Sequence, residues 1–402
     1  MEQVFYHLTY ASLLVLSVGI FTSVSFSALA HILLVVPACH FFYKNFATYK
    51  LSKTAWALVG IMVTIILSII ANLDILPHPF SNLFKIKYFL IPFFGIFALA
   101  SIPKSYFTKK RIGILINLFI FATSIASLSG IIAYYSGFNY LKGKPACHYD
   151  RACGLYGMYM TYGYGLSFFM VLLTGLLIYR DEVKQWVPTW WLVVAFAINI
   201  FGLYLAFARG GWIGFAVALP CFFLKKNRKI IFGLIVMAGI AFVLSYSFIA
   251  PFQRMMDNRE GSNAQRMSFA ETVLVAFMER PVFGWGYKNF EPNVKSLKFK
   301  YDIEHEDFGG HAHNNYLEHL ASTGVLGLLA LVFFSLYWVY ATYLREDLIG
   351  RLTFPFVMSF IISGQFQYTF GDGENLFLIM TVFMISEAFS IRVLVKQTLP
   401  ES

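Results

Sequence analysis

The sequence predicts an all-α, polytopic integral membrane protein of about twelve transmembrane helices, with one outward-facing helical segment between helices 9 and 10. Three observations carry that expectation. Apolar residues make up 58% of the 402 and charged residues only 13%, for a mean hydropathy of +0.65, too apolar for a soluble globule. The apolar residues fall in runs near the roughly 17 to 25 residues that cross a bilayer as helix. Lys and Arg collect in alternate loops, as they do when one side faces the cytoplasm.

The runs lie at about 4–22, 24–43, 55–71, 86–101, 112–135, 159–179, 189–208, 210–224, 229–249, 325–343, 352–370 and 375–391. Residues 1–249 thus hold spans 1 to 9, residues 250–324 the outward segment, and residues 325–402 spans 10 to 12 and a tail. The first run is followed by Ala28-Leu29-Ala30, which resembles a signal cleavage site. No Lys or Arg precedes the run and the chain beyond it is apolar again, so it is read as retained. Basic residues after spans 2, 4, 6, 8 and 10 and in the tail place both termini in the cytoplasm. The cluster Lys225, Lys226, Arg228 and Lys229 is one such signal. The net charge of +10 is then a topology signal, and nucleic acid is not an expected partner.

Spans 1 to 3 read as scaffold. Before span 4, Lys85 and Lys87 stand on the outward side, where they either reach lipid headgroups or meet an anionic substrate. The outward loop KGKPACHYDRACG carries Cys147 and Cys153, for which an oxidising compartment permits a disulfide; the spacing leaves unpaired thiols open. Cys39 and Cys221 fall within spans, as buried thiols. The following GLYGMYMTYGYG, 154–165, suits an aromatic interfacial belt or a sugar-stacking platform. Residues 189–224 contain a single charge, Arg209, in AFARGGWIGF. A charge so placed is costly in hydrocarbon and points to function, such as bidentate binding of a phosphate.

The outward segment is basic, with Arg254, Arg259, Arg266, Arg280, Lys288, Lys295, Lys298 and Lys300. From 263 to 279, Phe269, Val273, Leu274, Ala276 and Phe277 recur at helical spacing, which predicts an amphipathic helix lying over the membrane. The segment ends in GGHAHNNYLEHLASTGVLG, 309–327, with His311, His313, Asn314 and Asn315 ahead of a short polar helix that Gly324 breaks. A proton acceptor, His313, thereby stands at a water–lipid boundary. His311, His313, His305, Glu306 and His319 would also suit zinc, but the spacing fits no defined zinc motif and the nearby arginines repel a cation. No metal and no cofactor are expected.

These residues resemble the O-antigen ligase and polymerase family of membrane glycosyltransferases. Its signature is a His followed by Asn, Ser or Gln, nine residues, Gly, two residues, then Gly, Thr or Tyr. His313-Asn314, Gly324 and Gly327 fit it. ARGGWIG around Arg209, and AQRMSFAETVLVAFMERPVFGWGYKNF with Arg266, extend the likeness, and Lys87 resembles a recurrent basic position before span 4.

The resemblance implies a bacterial inner-membrane enzyme with a periplasmic active site and no metal. It would move a polysaccharide from undecaprenyl diphosphate to a lipid A core sugar with inversion. His313 would be the base, Arg209, Arg266 and Lys87 the diphosphate ligands, and Asn314 and His311 supporting residues. A polymerase joining lipid-linked repeat units is the alternative, and a lipid-linked glycan flippase the rival of another class. A flippase places its polar sites near the bilayer midplane, whereas here they gather on one face.

Overall fold

The computed structural model describes residues 2–225, 228–249, 253, 260–305 and 307–398. Lys226, Arg254, Arg259 and Glu306 lie outside them. The chain is nearly all helix, and among the described residues eight helices are long and apolar enough to cross a membrane, with two shorter apolar helices at Thr189–Leu205 and Leu348–Ser363.

Helices α1 (Glu2–Thr22) and α2 (Val24–Asn45) form a tight hairpin. Between lipid-embedded helices, close approach of small residues and interhelical hydrogen bonds replace the hydrophobic drive. Here Ser12 donates to the Ala30 carbonyl at 2.8 Å, and a Cβ on Gly19 would stand 2.7 Å from the Ser27 nitrogen. Next come α3 (Lys53–Ile70), α4 (Pro79–Phe84), α5 (Lys87–Ser101) and α6 (Lys109–Ser136). A two-stranded hairpin, Phe138–Asn139 with Lys144–Pro145, leads to α7 (Tyr159–Ile178), α8 (Arg180–Val183) and α9 (Thr189–Leu205). A buried polar network binds three of these helices: Ser127 donates to Asn199 at 2.7 Å and accepts from Tyr162 at 2.9 Å.

Helices α10 (Arg209–Cys221) and α11 (Arg228–Phe248) precede the segment that the sequence placed outside. That segment holds α12 (Glu260–Glu279) and α13 (Phe290–Lys300). The amphipathic reading of 263–279 matches α12 in part: Phe269, Val273 and Ala276 are buried, while Leu274 is exposed. They form a small core of their own with Phe290, Val294 and Leu297 of α13, and with Ala312 and Ala321.

Helix α14 (Asn315–Leu344) bends at Gly324, whose φ of 69° and ψ of −167° are open only to glycine. Two polar contacts join the segment to α3 and the turn after it: Ser68 donates to the Ser322 carbonyl at 2.7 Å, and Asn72 to that of Gly284 at 3.0 Å. Arg280 hydrogen-bonds Asn72 and pairs with Asp74 at 3.8 Å.

Helix α15 (Leu348–Ser363) and α16 (Gly373–Thr398) complete the chain. The eleventh apolar run, expected to 370, is corrected here, because the helix ends at Ser363. Residues 364–372 fold instead as a loop. Its polar side chains find partners at the start of α14, and a helix continuing to 370 would have carried them past those partners.

Candidate functional site

The loop before α14 is shaped by the helix that follows it. Asn314 is the N-cap, its Oδ1 accepting from the backbone nitrogens of Tyr316 at 2.8 Å and Leu317 at 3.1 Å. This satisfies two of the orphaned amides of a helix start. Its Nδ2 donates to the Gln365 carbonyl at 3.1 Å. The side chain expected as a supporting residue thus acts on the backbone. Glu318, buried one turn on, accepts from the Ala312 nitrogen at 2.8 Å and from Ser322 at 3.1 Å. Held from both sides, His313 adopts a φ of 49°, uncommon for a non-glycine residue.

The His313 ring is fixed by the 364–372 loop. Asn315, also buried, clamps that loop: its backbone nitrogen donates to Gly364 at 2.7 Å, its Nδ2 to Thr369 at 3.1 Å, and its Oδ1 accepts from Phe370 at 2.9 Å. The clamp sets Gln367 against the histidine, with His313 Nδ1 2.7 Å from Gln367 Oε1. An amide oxygen only accepts, so Nδ1 carries the proton and Nε2 keeps its lone pair. Phe269 meets the ring edge-on at 5.6 Å and the His311 ring lies 4.4 Å away.

The two histidines are pushed in opposite directions. Burial, then the neighbouring His311, takes His313 down to about 4, against the Gln367 hydrogen bond. Burial alone would lower His311 too, but its pairing with Glu291 and the field of Glu318 lift it above the ordinary imidazole value. Glu291, 3.9 Å from His311, is lowered chiefly by that pairing. Near neutral pH, His313 is therefore uncharged with its Nε2 lone pair free, and His311 is the more readily protonated of the two.

The arginines gather round Tyr164. Arg209 opens α10, and Gly210 lets that helix meet α7: a Cβ there would lie 2.1 Å from the Tyr164 hydroxyl and 2.5 Å from Phe366 Cβ. Buried Tyr164 hydrogen-bonds the Arg266 side chain and lies in the field of Arg209, and the field of Arg266 reaches His313. The structure so brings Arg209, Arg266, His311, His313 and Asn314 to one end of the bundle. Lys87 is engaged otherwise, with its ammonium 4.0 Å from the Phe84 ring centre and 5.4 Å from that of Tyr88. Lys288, which the sequence reading did not single out, stands nearer, donating to the Gly371 carbonyl at 2.8 Å and acting on His311. Cys147 and Cys153 are joined as a disulfide at the same end, where the Ala152 nitrogen donates to Leu205 at 2.9 Å.

His305, His311 and His319 do not converge: His319 lies against Tyr368 and Phe370, while His311 pairs with Glu291. Among the described residues, no three His, Cys, Asp or Glu side chains are grouped to hold a metal.

A neutral base beside two guanidiniums, at one end of a membrane bundle, suits transfer from an anionic leaving group. The comparison with known families falls on the same residues. Residues 194–332 match the O-antigen ligase family model. This matched domain is about a third of the chain, and the family likeness rests on it. That domain contains Arg209, Arg266, His311, His313, Asn314 and Gly324, while Lys87, the disulfide and Gln367 lie outside it. Over 169 residues the chain is also 31% identical to an uncharacterized protein of Haemophilus influenzae. That match spans 37% of this chain and 42% of the relative. Together with the eight helices long and apolar enough to cross a membrane, the family match is in keeping with a multi-pass membrane protein.

Proposed function

We propose that the chain is an O-antigen ligase, transferring a polysaccharide from undecaprenyl diphosphate to a sugar of the lipid A core. It does so on the periplasmic face of a bacterial inner membrane, with twelve spans and both termini in the cytoplasm. The observation that carries this reading is the His313–Gln367 hydrogen bond, which leaves Nε2 as the acceptor beside Arg266.

In the proposed step an acceptor hydroxyl gives its proton to His313 Nε2 and its oxygen attacks the anomeric carbon. The bond from that carbon to the diphosphate oxygen breaks with inversion. Charge grows on the departing diphosphate, and Arg209 and Arg266 stabilise it where it grows. A base at this position contributes roughly 10²- to 10⁴-fold. The low basicity of His313 also has a use. A bound diphosphate favours the protonated imidazole, so the base strengthens when the donor is present.

The test is a gel profile of lipopolysaccharide, with the lipid-linked glycan extracted in parallel, from a host lacking this chain and from hosts complemented with it or with His313→Ala. A bare core with long polymer held on the carrier, reversed only by the intact chain, supports the ligase. Cores capped by a single repeat unit would make the protein a polymerase, and full activity in His313→Ala would remove the base.

A further inference from the structure

Between the hairpin and α7 lies a loop that the proposed chemistry does not use. The Cys147–Cys153 disulfide closes it over only six residues of separation. Its far side is fixed as well. Asn139 donates to the Gly154 carbonyl at 2.9 Å, and Gly154, at a φ of 56°, packs so closely on Gly130 that a Cβ on the latter would lie 2.5 Å from its nitrogen. On this short, pinned loop stand His148, Tyr149, Asp150 and Arg151 in sequence.

Tyr149 is 88% exposed. Its ring lies nearly parallel to that of His148, at 25° and 4.7 Å. His148 is held by Asp150 and by the edge of Tyr159 at 5.2 Å. The Arg151 guanidinium lies 4.3 Å from the centre of the Tyr159 ring and 3.7 Å from Asp150. Tyr149 thus has a histidine stacked at one face and the other face open, with Asp150 and Arg151 next in the chain. Tyr159 is the first residue of α7, the helix that carries Tyr164, which Arg266 and Arg209 share, five residues on.

We propose that this disulfide-closed loop is a glycan subsite, in which the open face of Tyr149 stacks on a sugar ring and Asp150 and Arg151 bind ring hydroxyls. A sugar offers just this pairing, with C–H bonds on its faces for the negative face of an aromatic ring and hydroxyls at its rim. Tyrosine supplies rigid contact area at small entropic cost, and the closed loop lowers that cost further. The subsite holds sugars remote from the bond that breaks. It deepens the proposed function and rests on it for the identity of the glycan.

The test compares two donors with the purified full chain in lipid: carrier-linked long polysaccharide, and the same carrier with one repeat unit. Tyr149→Ala and Tyr149→Leu should raise KM for the long donor roughly tenfold, the worth of one aromatic contact. Both should leave the single-unit donor unchanged, while Tyr149→Phe and Tyr149→Trp match the parent on both donors. If Tyr149→Leu matches the parent on the long donor, the side chain is a lipid anchor and the proposal fails. Equal losses on both donors place Tyr149 in folding, with the same consequence.

A second measurement separates this proposal from the enzymatic reading. Saturation-transfer NMR would follow polysaccharide released from its carrier as it binds His313→Ala, with and without Tyr149→Ala. Binding that depends on Tyr149 sustains the subsite even in a chain that transfers nothing. Binding that ignores Tyr149 overturns it.

Discussion

Replacing Gly324 with alanine should release the outward segment from the membrane bundle. The residue sits at a φ of 69° and a ψ of −167°, where a side chain costs about 1 to 3 kcal/mol in backbone strain alone. A Cβ would also stand 2.2 Å from the Val282 carbonyl oxygen and 2.7 Å from the Gly284 nitrogen, both backbone atoms that no rotamer change can move. Separating these strands weakens the bonds that cross there, Trp285 N to Ala321 O and Val325 N to Pro281 O, each 2.9 Å. At about 1 kcal/mol apiece they bring the total to roughly 3 to 5 kcal/mol. The assay is thermal unfolding of the purified chain in detergent, with Gly157→Ala as control, since a Cβ at Gly157 meets nothing within 4 Å. Gly324→Ala should melt lower by roughly 5 °C or more, and the control should not move. A Gly324→Ala chain that melts with its control would show that the junction is not the tight backbone contact described.

Removing the Gln367 amide in Gln367→Leu frees the His313 tautomer and should cut transfer at least tenfold or so. Gln367→Glu keeps an acceptor but adds a charge that favours protonated His313, so its acid limb should move to higher pH. Leucine without effect would remove the tautomer argument. With His313 lowered to about 4 before the donor binds, kcat/KM for the donor should hold as pH falls from 7 to 5 and fail only toward 4, while the acid limb of kcat lies higher; a kcat/KM break near 6.5 would contradict the burial described.

Stability follows the same sign. The unfolded chain takes up the His313 proton first, so the contribution is whole above 6.5 and lost as pH falls toward about 4. His311, raised, contributes oppositely, whole below the ordinary value and lost as pH rises through its own. Melting of His313→Ala between pH 4 and 7 should therefore be flatter than that of the parent. Asp372 is raised to about 7 by burial and by Glu374, so the folded state keeps its proton longer and stability falls as pH climbs from 3.8 to 7. Asp372→Asn should gain over the parent at pH 8 and match it at pH 4; a gain at pH 4 alone would reverse the argument.

Most helices could be read from the chain because lipid imposes one period and one length on any span. The helix over 263–279 (though not the exposure of Leu274), the break at Gly324 and the position of His313 just before a helix were equally local features. What local pattern could not reveal was any partner brought from far away. Gln367, Asn315, Glu318, Glu291 and Tyr164 matter because of contacts such as the 54-residue separation between His313 and Gln367. One signal was present in the eleventh apolar run, where Gln365, Gln367 and Thr369 alternate in a stretch that should have been uniformly greasy. Polar residues at that spacing are costly in lipid and argue for a loop lining a site. Lys87 shows the converse, since a cation at a plausible position says nothing of its company, here Phe84 and Tyr88.

The family signature gains a physical reading from these contacts. His313 is held by a loop that Asn315 clamps, Asn314 caps the helix that fixes the backbone, and Gly324 permits the turn against Gly284. Three of its positions are thus one mechanical unit, in which Asn314 and Gly324 set the place of His313. A serine at position 314 could cap the same helix, because the work falls to one side-chain oxygen accepting two amides. Alanine at 314 would leave both amides without that oxygen, and would disturb His313 without touching it.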